Sequence, residues 1–124
     1  MKRTLSAGLL LLALLVVVRP AHAQDESLTL GLSRDFGYAG FSSDIEGLFS
    51  LSAQGPNDLT RVDFYFNDEI IFSDDAAPFR FQFTTKDYAP GEYRLYAIGV
   101  TADGTELHSN EFVRVFLSAE DARG

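Results

Sequence analysis

From Leu28 onward the chain alternates apolar and polar residues with a period of two, and no stretch of useful length carries the 3.6-residue repeat of an amphipathic helix. The alternation predicts seven strands. Leu28, Leu30 and Leu32 share one face of the first, Ile45, Gly47, Phe49 and Leu51 one face of the second, and Val62, Phe64 and Phe66 one face of the third. Ile70 to Phe72 makes a short fourth strand after a turn at Asn67-Asp68. Phe79, Phe81 and Phe83 line a fifth, Tyr93, Leu95, Ala97 and Gly99 a sixth, and Val113, Val115 and Leu117 a seventh.

The breaks between these runs agree with the count. Gly55-Pro56-Asn57-Asp58, Asp74 to Pro78 and Pro90-Gly91 cannot continue a ladder, and Asp103-Gly104 suits a tight hairpin because both residues tolerate positive φ. Seven short strands in about 100 residues predict an all-β, antiparallel β-sandwich of immunoglobulin type.

The N-terminus follows different rules. Lys2 and Arg3, the apolar run Leu5 to Val18, a breaking Arg19-Pro20 and then Ala21-His22-Ala23 form the three parts of a signal peptide over residues 1–23. As a helix, the run spans about 21 Å, too short for a hydrocarbon core of about 30 Å. Cleavage after Ala23 leaves a domain over 24–118, a short acidic tail over 119–124 and no membrane insertion. The product is secreted or placed in a periplasmic or extracellular space. The chain has no cysteine, so its core stands without disulfide staples. All eleven Phe and five Tyr lie after the leader and supply that core.

Charge narrows the partners. The net charge of the whole chain is −8, and loss of Lys2, Arg3 and Arg19 makes it more negative. Such a surface repels phosphate backbones and anionic lipid heads, which argues against nucleic acid. Catalytic chemistry is equally poorly supplied. His108 is the one imidazole beyond the leader, it has no zinc-ligand companions of usual type, and no serine sits in a nucleophile-elbow pattern. Calcium is the one cofactor the acidic turns raise, through Asp68, Glu69, Asp74 and Asp75 flanking the fourth strand, although no EF-hand spacing is present. Acidic turns of this kind ordinarily serve only to hold water.

Two aromatic groups invite a binding role. In "RDFGYAGF", Gly37 and Gly40 free the backbone of a loop between the first two strands, so Phe36, Tyr38 and Phe41 can point to different sides with Arg34 and Asp35 beside them. Folded down, the rings form a lid on the end of the core, which is the favoured reading because large apolar groups gain most by leaving water. Exposed and coplanar, they form a platform for sugar rings, with Arg34, Phe36, Tyr38 and Phe41 as the binding residues. The second group is Phe112 and Phe116, which face outward as an interaction surface if Val113 and Val115 face inward.

The stretch from Val62 to Gly104 carries a resemblance. Val62, Phe64, Tyr65 and Asn67, then Ala77-Pro78-Phe79, then Pro90-Gly91, Tyr93, Leu95, Ala97 and Asp103-Gly104 occupy the places of a recurring pattern. The chain thereby resembles the bacterial immunoglobulin-like domains of envelope proteins, also found beside glycoside hydrolase modules. The resemblance implies the same sandwich, and a structural role for Tyr93, whose hydroxyl bonds to backbone across a corner in such folds. It also implies a binding or spacer module of the cell envelope without catalytic activity, its partner a protein or a carbohydrate. Two alternatives stand beside this: a carbohydrate-associated accessory using residues 34–41, and the structural ectodomain of a longer membrane-anchored protein. RDFGYAGF resembles small envelope proteins in which one such domain precedes a transmembrane helix, and no apolar segment of that kind precedes Gly124.

Overall fold

The computed structural model describes residues 27–40 and 42–123, so the signal peptide expected over 1–23 and Phe41 lie outside the described residues. Eight strands form in chain order: β1 Thr29–Ala39, β2 Asp44–Gln54, β3 Leu59–Phe66, β4 Glu69–Asp74, β5 Phe79–Thr84, β6 Gly91–Thr101, β7 Glu106–His108 and β8 Phe112–Phe116. A 3-10 turn, Thr85–Asp87, follows β5. The acidic tail winds into a short helix, α1 Ala119–Arg123, with Glu120 and Asp121 in its first turn.

Hydrogen bonding groups β1, β2 and β5 around β2, and groups β4, β3, β6, β7 and β8 around β6 and β3. All of these pairings are antiparallel except one. Asp44 and Ile45 of β2 run parallel to Val115 and Phe116 of β8, a short contact that joins the two layers at one corner. The layers face each other through their inward residues. Leu30, Phe49, Leu51, Phe79 and Phe83 from one side meet Val62, Phe64, Phe66, Leu95 and Phe116 from the other. Phe66 anchors the cluster, its ring edge-on to Phe83 at 5.1 Å and to Phe116 at 5.6 Å. Fully burying each such ring contributes about 1.5–3 kcal/mol.

The period-two pattern specifies this core because one-residue slips would turn whole strands inside out. At the end of the chain the pattern fails to decide. The seventh predicted strand, over Val113 to Leu117, forms as β8, and an unpredicted β7 precedes it, the two separated where Ser109 and Asn110 leave the ladder. Ser109 still pairs with Ala97 through its backbone N–H and its hydroxyl. The Asn110 side chain crosses instead to β1, accepting from the Leu30 N–H and donating to the Leu30 carbonyl. Beyond this break β8 enters with Phe116 inward and 1% exposed, while Val113 is 44% exposed. Phe116 lies 4.3 Å from the Tyr93 ring in a stacked pair. The outward pair Phe112 and Phe116 is therefore corrected: Phe116 is core, and Phe112 packs partly against it. In "FVRVF" both parities are apolar, and the larger rings gain more by burial than valines do.

Candidate functional site

The segment RDFGYA is strand, not loop. β1 continues through it and pairs with β2 down to Ala39 opposite Ile45, so the two strands form one long hairpin. The ladder is interrupted once, between Arg34 opposite Phe49 and Phe36 opposite Leu48, leaving Asp35 as the extra residue of a β-bulge. Directly opposed residues share a face, and Leu48 alternates with the inward Phe49, so Phe36 and Leu48 lie on the outer face of the β1–β2–β5 layer. Phe36 is 78% exposed there.

A glycine pair allows the hairpin to continue past the bulge. Gly37 and Gly47 face each other with φ of 131° and 126°. A Cβ added at Gly37 would lie 2.2 Å from the Glu46 carbonyl oxygen, and one at Gly47 would lie 2.3 Å from that of Phe36. Only glycine admits so close an approach in this conformation. On its far side, the Gly47 N–H donates to the buried Thr85 hydroxyl at 2.9 Å, which holds the crossing to the turn after β5.

Beside Phe36 the bulge aims Asp35 into a polar network drawn from three strands. The Arg80 Nη2 donates to Ser50 Oγ at 2.9 Å, the Ser50 hydroxyl donates to Asp35 Oδ2, and Gln82 Nε2 donates to the same carboxylate oxygen at 3.1 Å. The Ser50 hydrogen bond, then Gln82 and the nearby Arg80 cation hold the Asp35 carboxyl below the usual carboxylate range. It is an anion at neutral pH. Ser50, Arg80 and Gln82 were not singled out from sequence, where each reads as an outward residue between apolar neighbours. Pairing of β2 with β5, Ser50 opposite Gln82 and Ser52 opposite Arg80, brings them to one row.

The other expected site residues distribute as follows. Arg34 is exposed and lies on β1 next to the bulge. Tyr38 is 43% exposed, and a Cβ at Gly40 would fall 2.7 Å from its hydroxyl, so its ring lies over the hairpin tip. Phe36 and Tyr38, two residues apart in regular register opposite Leu48 and Glu46, share the outer face of the hairpin and are exposed, so neither ring caps the core. The lid is corrected for these two rings, and Phe41 lies outside the described residues. The calcium group is corrected too: Asp68 and Glu69 sit at one end of β4, Asp74 and Asp75 at the other, about 17 Å away at strand rise. Asp68 pairs with Arg94 at 2.9 Å, and Asp74 accepts from the backbone of Ala76 and Arg80. Among the described residues no three His, Cys, Asp or Glu side chains converge as metal ligands.

Two further aromatic places are accounted for by structure. The Tyr93 hydroxyl donates to the Ala89 carbonyl at 2.6 Å, bracing the corner before β6. On the outer face of the other layer, Tyr65 and Tyr96 stack across β3 and β6 at 4.9 Å, with the Arg94 guanidinium 5.1 Å from the Tyr96 ring. Their faces are turned to each other and to Arg94, so they present edges to solvent and serve as a cross-strand pair. Burial, with Asp63 next, raises the Tyr65 phenol above its ordinary value, so it stays neutral.

Comparison with known proteins agrees with this architecture. The family model described as bacterial Ig domain matches residues 48–97. The fibronectin(III)-like modules of CbhA from Clostridium thermocellum superpose with a TM-score of 0.54 at 27% identity, over 72% of this chain and 93% of that one. A polysaccharide deacetylase from Bacillus cereus superposes with a TM-score of 0.52 at 17% identity, over 73% of this chain and 30% of that one, a likeness of fold. Comparison with curated proteins gave no match. With two facing layers, the matched stretch running from β2 into β6 and the Tyr93 corner, this chain contains a bacterial immunoglobulin-like domain.

Proposed function

We propose that the protein is a non-catalytic binding module exported to the bacterial envelope or beyond, and that it binds through the outer face of the β1–β2–β5 layer. The observation that carries this reading is Phe36, a large apolar ring 78% exposed on a strand rather than on a loose loop. A ring so placed loses the burial energy its neighbours gain, and it stands on a hairpin held by the bulge, the glycine crossing and the Thr85 bond. Bacterial Ig domains are typically extracellular, the leader-like N-terminus agrees, and no helix among the described residues is long and apolar enough to cross a membrane. The absence of a nucleophile-elbow pattern and of a second imidazole beyond the leader supports a role without catalysis. The test is sedimentation of the protein with isolated bacterial envelope fragments. Binding that falls about three- to tenfold in Phe36→Ala supports the reading, since a stacked aromatic contact contributes on this order. Binding that is absent, or equal in the variant, refutes it.

A further inference from the structure

We infer that the ligand of this face is an uncharged saccharide, one ring of which stacks on Phe36 while its hydroxyls bond to the Asp35–Gln82–Arg80 row; the inference rests on the binding face proposed above. A sugar ring offers an apolar C–H face and, around its rim, hydroxyls that each donate and accept. The protein offers the matching set. Phe36 supplies an exposed apolar face, Asp35 an ionised acceptor, and Gln82 and Arg80 supply N–H groups beyond those spent on Asp35 and Ser50. Small residues keep the row accessible: Gly31 and Ser52 pair beside it, and Ser33 pairs with Ser50. The polar atoms are held by one another before any ligand arrives, which lowers the ordering cost of binding.

Charge excludes the competing occupants. Within the row Asp35 and Arg80 balance each other, and the chain as a whole carries −8, so uronate polymers and phosphate headgroups meet long-range repulsion with no spare cation in the row to offset it. An apolar peptide groove is not present either, because beside Phe36, Tyr38 and Leu48 the positions on this face are Ser, Thr, Asp, Glu, Arg and Gln.

The deciding experiment compares envelope fragments treated with periodate, which cleaves vicinal diols, with fragments digested by protease, using wild type, Phe36→Ala and Gln82→Leu. The expected result is that periodate abolishes sedimentation and protease spares it. Gln82→Leu, which keeps the fold and the Phe36 ring, is expected to weaken binding about three- to tenfold, the worth of one hydrogen bond to a charged or polar partner. If protease abolishes a Phe36-dependent interaction that periodate spares, the saccharide inference is overturned while the binding face stands. Unchanged affinity in Gln82→Leu also overturns the assignment of the polar row. If untreated fragments show no Phe36-dependent binding, the proposed face itself falls.

Discussion

Replacement of Gly47 by alanine probes the feature on which the whole hairpin depends. At φ of 126° an L-residue is strained, costing about 1–3 kcal/mol, and the added Cβ would sit 2.3 Å from the Phe36 carbonyl oxygen and 2.8 Å from Gly37 Cα. Both obstacles are backbone, so no side-chain rotation relieves them. To reach ordinary contact the two strands must part by roughly 1 Å, which also strains the Gly47 hydrogen bond to Thr85, worth about 1 kcal/mol. The sum is about 2–4 kcal/mol, or a drop in Tm of roughly 10–20 °C for a domain near 100 residues. Gly31 is the internal control. It lies on the same hairpin, but a Cβ there comes no nearer than 4.0 Å to any group, the Ser52 carbonyl oxygen. Thermal melts of Gly47→Ala and Gly31→Ala, with amide exchange followed over Tyr38 to Glu46, measure the difference. Should the hairpin release its tip before the core unfolds, that stretch loses protection while Tm changes less. Equal melting within about 2 °C together with unchanged exchange would refute the close-approach argument.

Other consequences follow from single groups. Tyr93→Phe removes the donor to the Ala89 carbonyl, which lies at the surface, so chemical denaturation should register a loss of about 0.5–1.5 kcal/mol with no change in envelope binding. Phe116→Ala empties the meeting point of Phe66, Phe83, Tyr88 and Tyr93 and should cost about 3–5 kcal/mol in the same assay, whereas a surface residue there would cost almost nothing. The Asp35 carboxyl is lowered in the folded state, so its contribution to stability is present above the unfolded pKa and is lost as pH falls through the folded value. The stability gap between wild type and Asp35→Asn should therefore persist at neutral pH and close below about pH 4, as read by denaturation midpoints across an acid series.

Most of the sandwich is legible in alternation because each inward residue has an outward neighbour of opposite character. Val62, Phe64 and Phe66 are inward with Arg61 and Tyr65 outward, and Phe79 and Phe83 are buried with Arg80 and Gln82 outside. Legibility ends where that contrast ends. FVRVF has apolar residues on both parities, and the direction of β8 depends on how Ser109 and Asn110 leave the ladder. Gly37 suggested a loop, since a lone glycine in a strand usually marks a break; its meaning emerges only when Gly47 is seen opposite. The polar row was the least readable of all. Asp35 and Gln82 are 47 positions apart, and only strand order joins them.

The bond between Asn110 and Leu30 has a further meaning. β1 is an outer strand with backbone groups available to any intruding chain, the usual starting place for unwanted stacking of one molecule on the next. By filling both slots at Leu30, one side-chain amide acts as a cork on that row. At high concentration, neighbouring copies would find the zipper already jammed at its base.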